Sequence, residues 1–154
     1  MKKQKGFSLI ELLIVVAIIL IIAAIAIPSL LKSRIAANEA SAVGSVRSIA
    51  TSQVSYDTSC TFYAATLLEL STGAICPAAA NTIDPVLGAG VKSGYLITST
   101  SPGTTAGGTN ATTFDVHADP QTAGVSGVRH FFTNESLVIR VNPAAVATNA
   151  STPL

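Results

Sequence analysis

The stretch Gly6-Phe7-Ser8-Leu9-Ile10-Glu11, with the apolar run behind it up to Pro28, decides how the chain is organised. Three lysines, Lys2, Lys3 and Lys5, precede it. From Leu12 to Ile27 sixteen consecutive residues are apolar, and from Phe7 to Ile27 only Ser8 and Glu11 interrupt the run. As a helix, those twenty-one residues would be about 31 Å long, close to the hydrocarbon thickness of a bilayer. The segment reads as a membrane anchor with a single acid in it. The lysine asymmetry orients it with the N-terminal side cytoplasmic and the C-terminal bulk outside. Lys32 and Arg34 beyond the anchor weaken that bias.

Three readings of residues 1–28 compete. One is a secretory signal cut after Ala24-Ile25-Ala26, releasing a chain that starts at Ile27. A second is an uncut single span. The third places a cut between Gly6 and Phe7, ahead of the apolar run. Glu11 favours the third. A carboxylate in a membrane helix costs up to about 2.5–3.5 kcal/mol at the centre and less near its end, and the first two readings give nothing in return. A cut after Gly6 frees an amine at Phe7. In a staggered array of copies that amine can meet the Glu11 of a neighbour. At 4 Å and an effective dielectric of 20 the pair contributes on the order of 4 kcal/mol before desolvation.

The stretch from Lys5 to Leu20 (Lys5-Gly6-Phe7-Ser8-Leu9-Ile10-Glu11, then Leu12-Leu13-Ile14-Val15-Val16-Ala17-Ile18-Ile19-Leu20) resembles the N-terminus of type IV pilins and type II secretion pseudopilins. Pro28 falls where that family has a helix-bending proline. The resemblance is dense over about the first 30 residues. It implies cleavage after Gly6 by a prepilin peptidase, N-methylation of Phe7, and a Glu11–Phe7 contact between subunits in a filament core. It further implies partners in other copies, related pilins and an inner-membrane assembly platform, with membrane lipid around the helix before assembly. The location implied is the inner membrane, then a filament.

Composition bounds the rest. The chain has 154 residues, enough for one modest core beyond Pro28. Without the three leader lysines, six basic side chains stand against eight acidic, net −2. If the chain is cut after Gly6, that argues against a nucleic-acid surface, whose affinity comes mostly from clustered Lys and Arg. Cys60 and Cys76 are the two cysteines, and behind an export anchor an even count predicts a disulfide worth about 3 kcal/mol.

The expected architecture is α+β: a long N-terminal helix whose second half packs on a small antiparallel sheet. The segments are a leader at 1–6, a membrane or filament-core helix at 7–28, and an amphipathic continuation at 29–56. A connecting region with the disulfide follows at 57–92, then the sheet at 93–141 and a C-terminal tail at 142–154. Pro28 removes one N–H and crowds the carbonyl four residues back, which predicts a kink rather than an end, since helix-compatible sequence resumes at once. Leu31, Ile35, Ala42, Val46, Ile49 and Val54 form the expected inward stripe, with Asn38, Glu39, Ser45, Arg47 and Ser48 mostly elsewhere. Gly44 and its small neighbours suggest either close helix approach or a tolerated small residue. Residues 62–70 suggest a short helix ending near Gly73, and 81–94 a loop. Strands are expected at 95–99, 112–118, 128–133 and 137–141, giving a meander of three or four, with residues 100–111 as a loop and the tail frayed or on the surface.

Chemistry beyond assembly is sparse. Asp115, His117 and Asp119 alternate on one strand face, and a solvated polar face is the reading preferred over a metal site. Asp84, Asp115, Asp119 and Glu135 are the candidates for the calcium found in some secretion pseudopilins, but no oxygen-rich loop of EF-hand type exists. No metal site, cofactor or catalytic constellation is assigned, and His130 reads as a strand histidine. Asn110, Asn134 and Asn149 begin N-x-S/T triplets of the sort that arise by chance. The function expected is that of a structural filament subunit of a type IV pilus. A type II secretion pseudopilin is the alternative, and an anchored or released binding module a further one.

Overall fold

A computed structural model describes residues 7–79, 81–101 and 111–154. The chain divides into two units, Met1–Arg34 and Ile35–Leu154. The fold is α+β. The helix α1 (Leu9–Cys60) leads, followed by α2 (Leu67–Thr72), a 3-10 turn (Pro77–Ala79) and α3 (Pro85–Gly88). Six strands complete it: β1 (Val91–Lys92), β2 (Tyr95–Thr100), β3 (Asp115–Pro120), β4 (His130–Asn134), β5 (Arg140–Asn142) and β6 (Thr152–Pro153). They form one antiparallel sheet in chain order.

In the first unit α1 is apolar on all sides, and its large side chains are exposed from Phe7 to Leu31. A helix apolar all round has no solvated face and needs apolar surroundings. Pro28 lies inside α1, with helix on both sides of it.

In the second unit α1 becomes one-sided. Ala42, Val46, Ile49 and Tyr56 are buried with Ile97, Val116 and Phe131 in one core. The stripe differs from the sequence expectation at several places. Val54 faces outward and Leu31 is exposed, while Glu39, Ser45 and Gln53 are buried. Each of these three has a partner that explains its burial. The Gln53 side-chain amide donates to Ala64 O and Ser99 Oγ and accepts from Ala64 N–H, and Ser45 Oγ donates back to Ser41 O. Within the single chain nothing approaches Gly44: a methyl added there would meet nothing within 4 Å.

The connecting region is fixed by local chemistry. Thr66 caps α2 by accepting from Glu69 N–H, the Glu69 carboxylate reaches back to Ala65 N–H, and Gly73 ends the helix in the left-handed conformation. Asp84 caps α3 with Pro85 in its first turn, so residues 81–94 hold a helical turn and a short strand rather than only a loop. Cys60 and Cys76 form the disulfide, tying the end of α1 to this region.

The sheet has six strands, not three or four. β3 buries Val116 and Ala118 and turns Asp115 and His117 to the other face. β4 begins two residues later than expected because the N–H groups of Val128 and Arg129 are taken by Glu39 of α1. The turn after β4 is built by Asn134, whose side-chain oxygen accepts from Ser136, and extended by Leu137 at φ 59°. β5 therefore starts at Arg140 instead of residue 137. The C-terminal segment lies on the surface, mostly exposed, but is not frayed. Thr152–Pro153 pairs with β5, Leu154 N–H donates to Ile139 O, and the Arg140 guanidinium donates to Ser151 O. This tail satisfies the outer edge of β5, a group of donors and acceptors that would otherwise stay unpaired.

Candidate assembly segment and its surroundings

The first turn of α1 carries the candidate site. Phe7 is 86% exposed, just ahead of the helix. Ser8 sits at the cap position, and the Glu11 carboxylate accepts from the Ser8 backbone N–H at 2.9 Å. This is one half of a capping box, in which a side chain three residues into the helix satisfies an orphan donor at its start. Glu11 also complements the positive end of the helix dipole. Ser8-x-x-Glu11 is a sequence signature of that box, and sequence reasoning that attended only to the charge of Glu11 passed over it. Gly6 lies outside the described residues, as do the leader lysines and Asn110.

Among the described residues, one helix is long and apolar enough to cross a membrane. Exposed apolar residues continue around its full circumference over some five turns, so burial must come from lipid or from other helices of the same kind.

The polar groups of the second unit are mostly structural. Glu39, 6% exposed, accepts from Val128 N–H (2.9 Å), Arg129 N–H (3.1 Å) and Arg129 Nε (2.8 Å). Burial pushes its carboxyl up, but these hydrogen bonds and the guanidinium charge outweigh it and hold the group below the usual carboxylate range. The Tyr95 hydroxyl donates to Arg129 O. Burial, with the Glu39 charge beside it, raises the Tyr95 phenol to about 12. This clamp between α1 and the β3–β4 connection had no sequence signal, because its members lie about ninety residues apart.

The histidines and remaining carboxylates do not converge. His130 Nδ1 bonds Asp119 Oδ1 at 2.6 Å, while His117 packs on Phe132 with its Nδ1 buried and unpartnered among the described residues. Asp84 caps α3 and pairs with Lys92 at 3.3 Å. Asp115 stands opposite Asn134, at the other end of β3 from Asp119. Among the described residues no three His, Cys, Asp or Glu side chains are grouped to hold a metal ion.

Comparison with known proteins agrees with the N-terminal geometry. Residues 1–27 match the prokaryotic N-terminal methylation motif family. The matched segment is the one that carries the resemblance to type IV pilins and type II secretion pseudopilins. The chain is similar to the type IV wide pilus major component PilA4 of Thermus thermophilus, 62% identical over 39 residues. That match covers 25% of this chain and spans 30% of the relative's length. No solved structure matches the chain.

Proposed function

We propose that the protein is a structural subunit of a type IV pilus-like filament, anchored by its first helix and assembled through it. The observation that carries this reading is the methylation motif placed on a helix exposed and apolar on every side, with one acid in its first turn. In this reading a prepilin peptidase cuts between Gly6 and Phe7, the freed Phe7 amine is methylated, and Glu11 of one copy pairs with the Phe7 amine of the next. Pro28 bends the helix between the half that packs in the filament core and the half that bears the sheet. Before assembly the same helix spans the inner membrane, with residues beyond Pro28 on the outer side. The pilus reading is favoured over a type II secretion pseudopilus because the similar protein is a pilus component. No catalytic role is proposed.

N-terminal sequencing and mass analysis of membrane-extracted protein test the reading. The expected mature chain starts at methylated Phe7. A mature start at Ile27 would overturn it in favour of a secreted module. Deletion of the gene, scored for surface filaments against exoprotein export, separates pilus from pseudopilus.

A further inference from the structure

The charges of the second unit sort into pairs and remainders. Glu39 is taken by Arg129, Asp84 by Lys92 and Asp119 by His130. Among the described residues Asp57, Glu69, Asp115 and Glu135 are in no ion pair. These four acids gather at one end of the unit. Burial, with the charges of Asp57 and Glu135, raises the Tyr63 phenol, and the Tyr63 ring packs on Phe114, the residue before Asp115. Burial and the Glu69 charge do the same to Tyr56. Asp57 belongs to the last turn of α1, which holds no basic residue. An anion there opposes the negative end of the helix dipole. Its neighbours at three and four residues are Gln53, Val54, Cys60 and Thr61, so the helix itself offers it no ion pair.

Two cations of this unit also stand outside ion pairs. Arg140 is committed, since its guanidinium donates to Ser151 O and its Nε is buried. Arg47 is not. Among the exposed residues of α1 from Ala40 to Ser59 it is the only charged one. Its neighbours at three and four residues are Val43, Gly44, Ala50 and Thr51, none of them acidic. Asp57 lies ten residues further on, about 15 Å along the axis, out of reach within one chain. A single cation on an otherwise uncharged helix face, and an uncompensated acidic end on the same unit, are complementary between copies and not within one.

We infer that the outward face of α1 is a docking surface for a second copy of this chain, with Arg47 of one copy seated beside Asp57 and Glu135 of the next. The inference rests on the filament reading and names a contact within it. An offset of parallel copies by about 15 Å along α1 brings Arg47 level with Asp57. A planar guanidinium suits two carboxylates beside an aromatic ring, here Tyr63. A two-fold contact over either surface would set like charge on like. The head-to-tail contact leaves one copy with a free Arg47 face and the other with a free acidic end, so it repeats without closing.

Charge exchange tests the contact, with the full-length chain expressed in cells lacking their own copy of the gene. The parent chain is scored first, for sheared filaments by electron microscopy and for mature chain in membranes by immunoblot. A parent chain without filaments overturns the filament reading and the contact with it. Arg47→Glu, and separately Asp57→Lys with Glu135→Lys, are each expected to lower filament yield about tenfold or more, since like charges then meet. Co-expression of the two altered chains is expected to restore filaments, because each presents the charge the other lacks. Filaments at parental yield from Arg47→Glu alone overturn the contact and leave the filament reading intact. So does co-expression that restores nothing, or that restores equally when Lys32→Glu or Arg34→Glu replaces Arg47→Glu. If a reversed chain is absent from membranes, Arg47→Gln takes its place. Parental filaments should then loosen as salt rises and Arg47→Gln filaments should not; equal salt dependence overturns the contact.

Discussion

The Glu11 carboxylate accepts a hydrogen bond from the backbone N–H of Ser8 at 2.9 Å, closing the first turn of α1 from within. The acid proposed to join one subunit to the next thus already has a partner in the single chain. Substitution can separate the two roles. Glu11→Gln keeps an oxygen for the Ser8 N–H but has no charge, and Glu11→Ala has neither. Both are expected to leave processing largely intact and to lower filament yield, measured by shearing and electron microscopy. Normal filaments from Glu11→Gln would reduce Glu11 to a helix cap.

The Cys60–Cys76 bridge closes a short loop at the end of α1. Replacing both by serine is expected to destabilise the chain by about 3 kcal/mol on the chain-entropy view. Urea melts of the detergent-solubilised protein measure this. An unchanged midpoint would show that the packing of α2 and the 3-10 turn holds the region without the bridge.

Glu39→Ala removes the acceptor of two backbone N–H groups and of Arg129 Nε. A loss of about 3 kcal/mol is expected, at the low end for breaking a buried pair because Arg129 keeps access to water. Since the Glu39 pKa is lowered in the fold, its contribution is present above the unfolded carboxylate pKa. It is lost as pH falls through the folded value. Stability against pH should show a shallower acid limb in Glu39→Gln than in the parent.

Tyr95 contributes to the alkaline limb, together with Tyr56 and Tyr63, whose phenols burial also raises. The Tyr95 phenol ionises at about 10 when unfolded and at about 12 in the fold. Its contribution is therefore full below pH 10 and is lost as pH rises towards 12, a change of roughly 2–3 kcal/mol. Tyr95→Phe should lose about 1 kcal/mol at neutral pH, the bond to Arg129 O, and flatten the decline above pH 10. An unaltered alkaline limb would move the cause elsewhere.

Two glycines give opposite signs. A methyl at Gly127 would run into the Tyr95 phenol, so Gly127→Ala is expected to cost about 1–3 kcal/mol. Gly44 lies in α1 with open space around it, so Gly44→Ala should stabilise by about 1 kcal/mol. Thermal melts of the two variants check both. Loss of filaments in Gly44→Ala with a raised melting temperature would mean that the open space is filled by another copy.

Much of the fold was legible in residue order. Leu12 to Ile27 could be nothing but a helix apolar all round, and Ser8, Glu11 and Pro28 mark it by local rules. The short helix ending at Gly73, the alternation through Val116 and Ala118, and the Cys60–Cys76 pair also followed from spacing and chemistry. Strand limits did not. β4 starts late because a helix carboxylate far away in sequence takes the N–H groups of Val128 and Arg129. The tail became β6 because β5 had an edge to cover, which no property of Thr152 or Pro153 announces.

By itself, then, the sequence determined the N-terminal motif and the character of its first helix, since both rest on contiguous residues whose hydropathy and spacing need no partner. Only the tertiary structure decided which polar side chains go inside, where the strands end, and how the charges sort along α1. Those outcomes depend on hydrogen bonds between residues remote in the chain. Glu39 looked like a surface residue of an amphipathic helix until Val128 and Arg129 were brought to it.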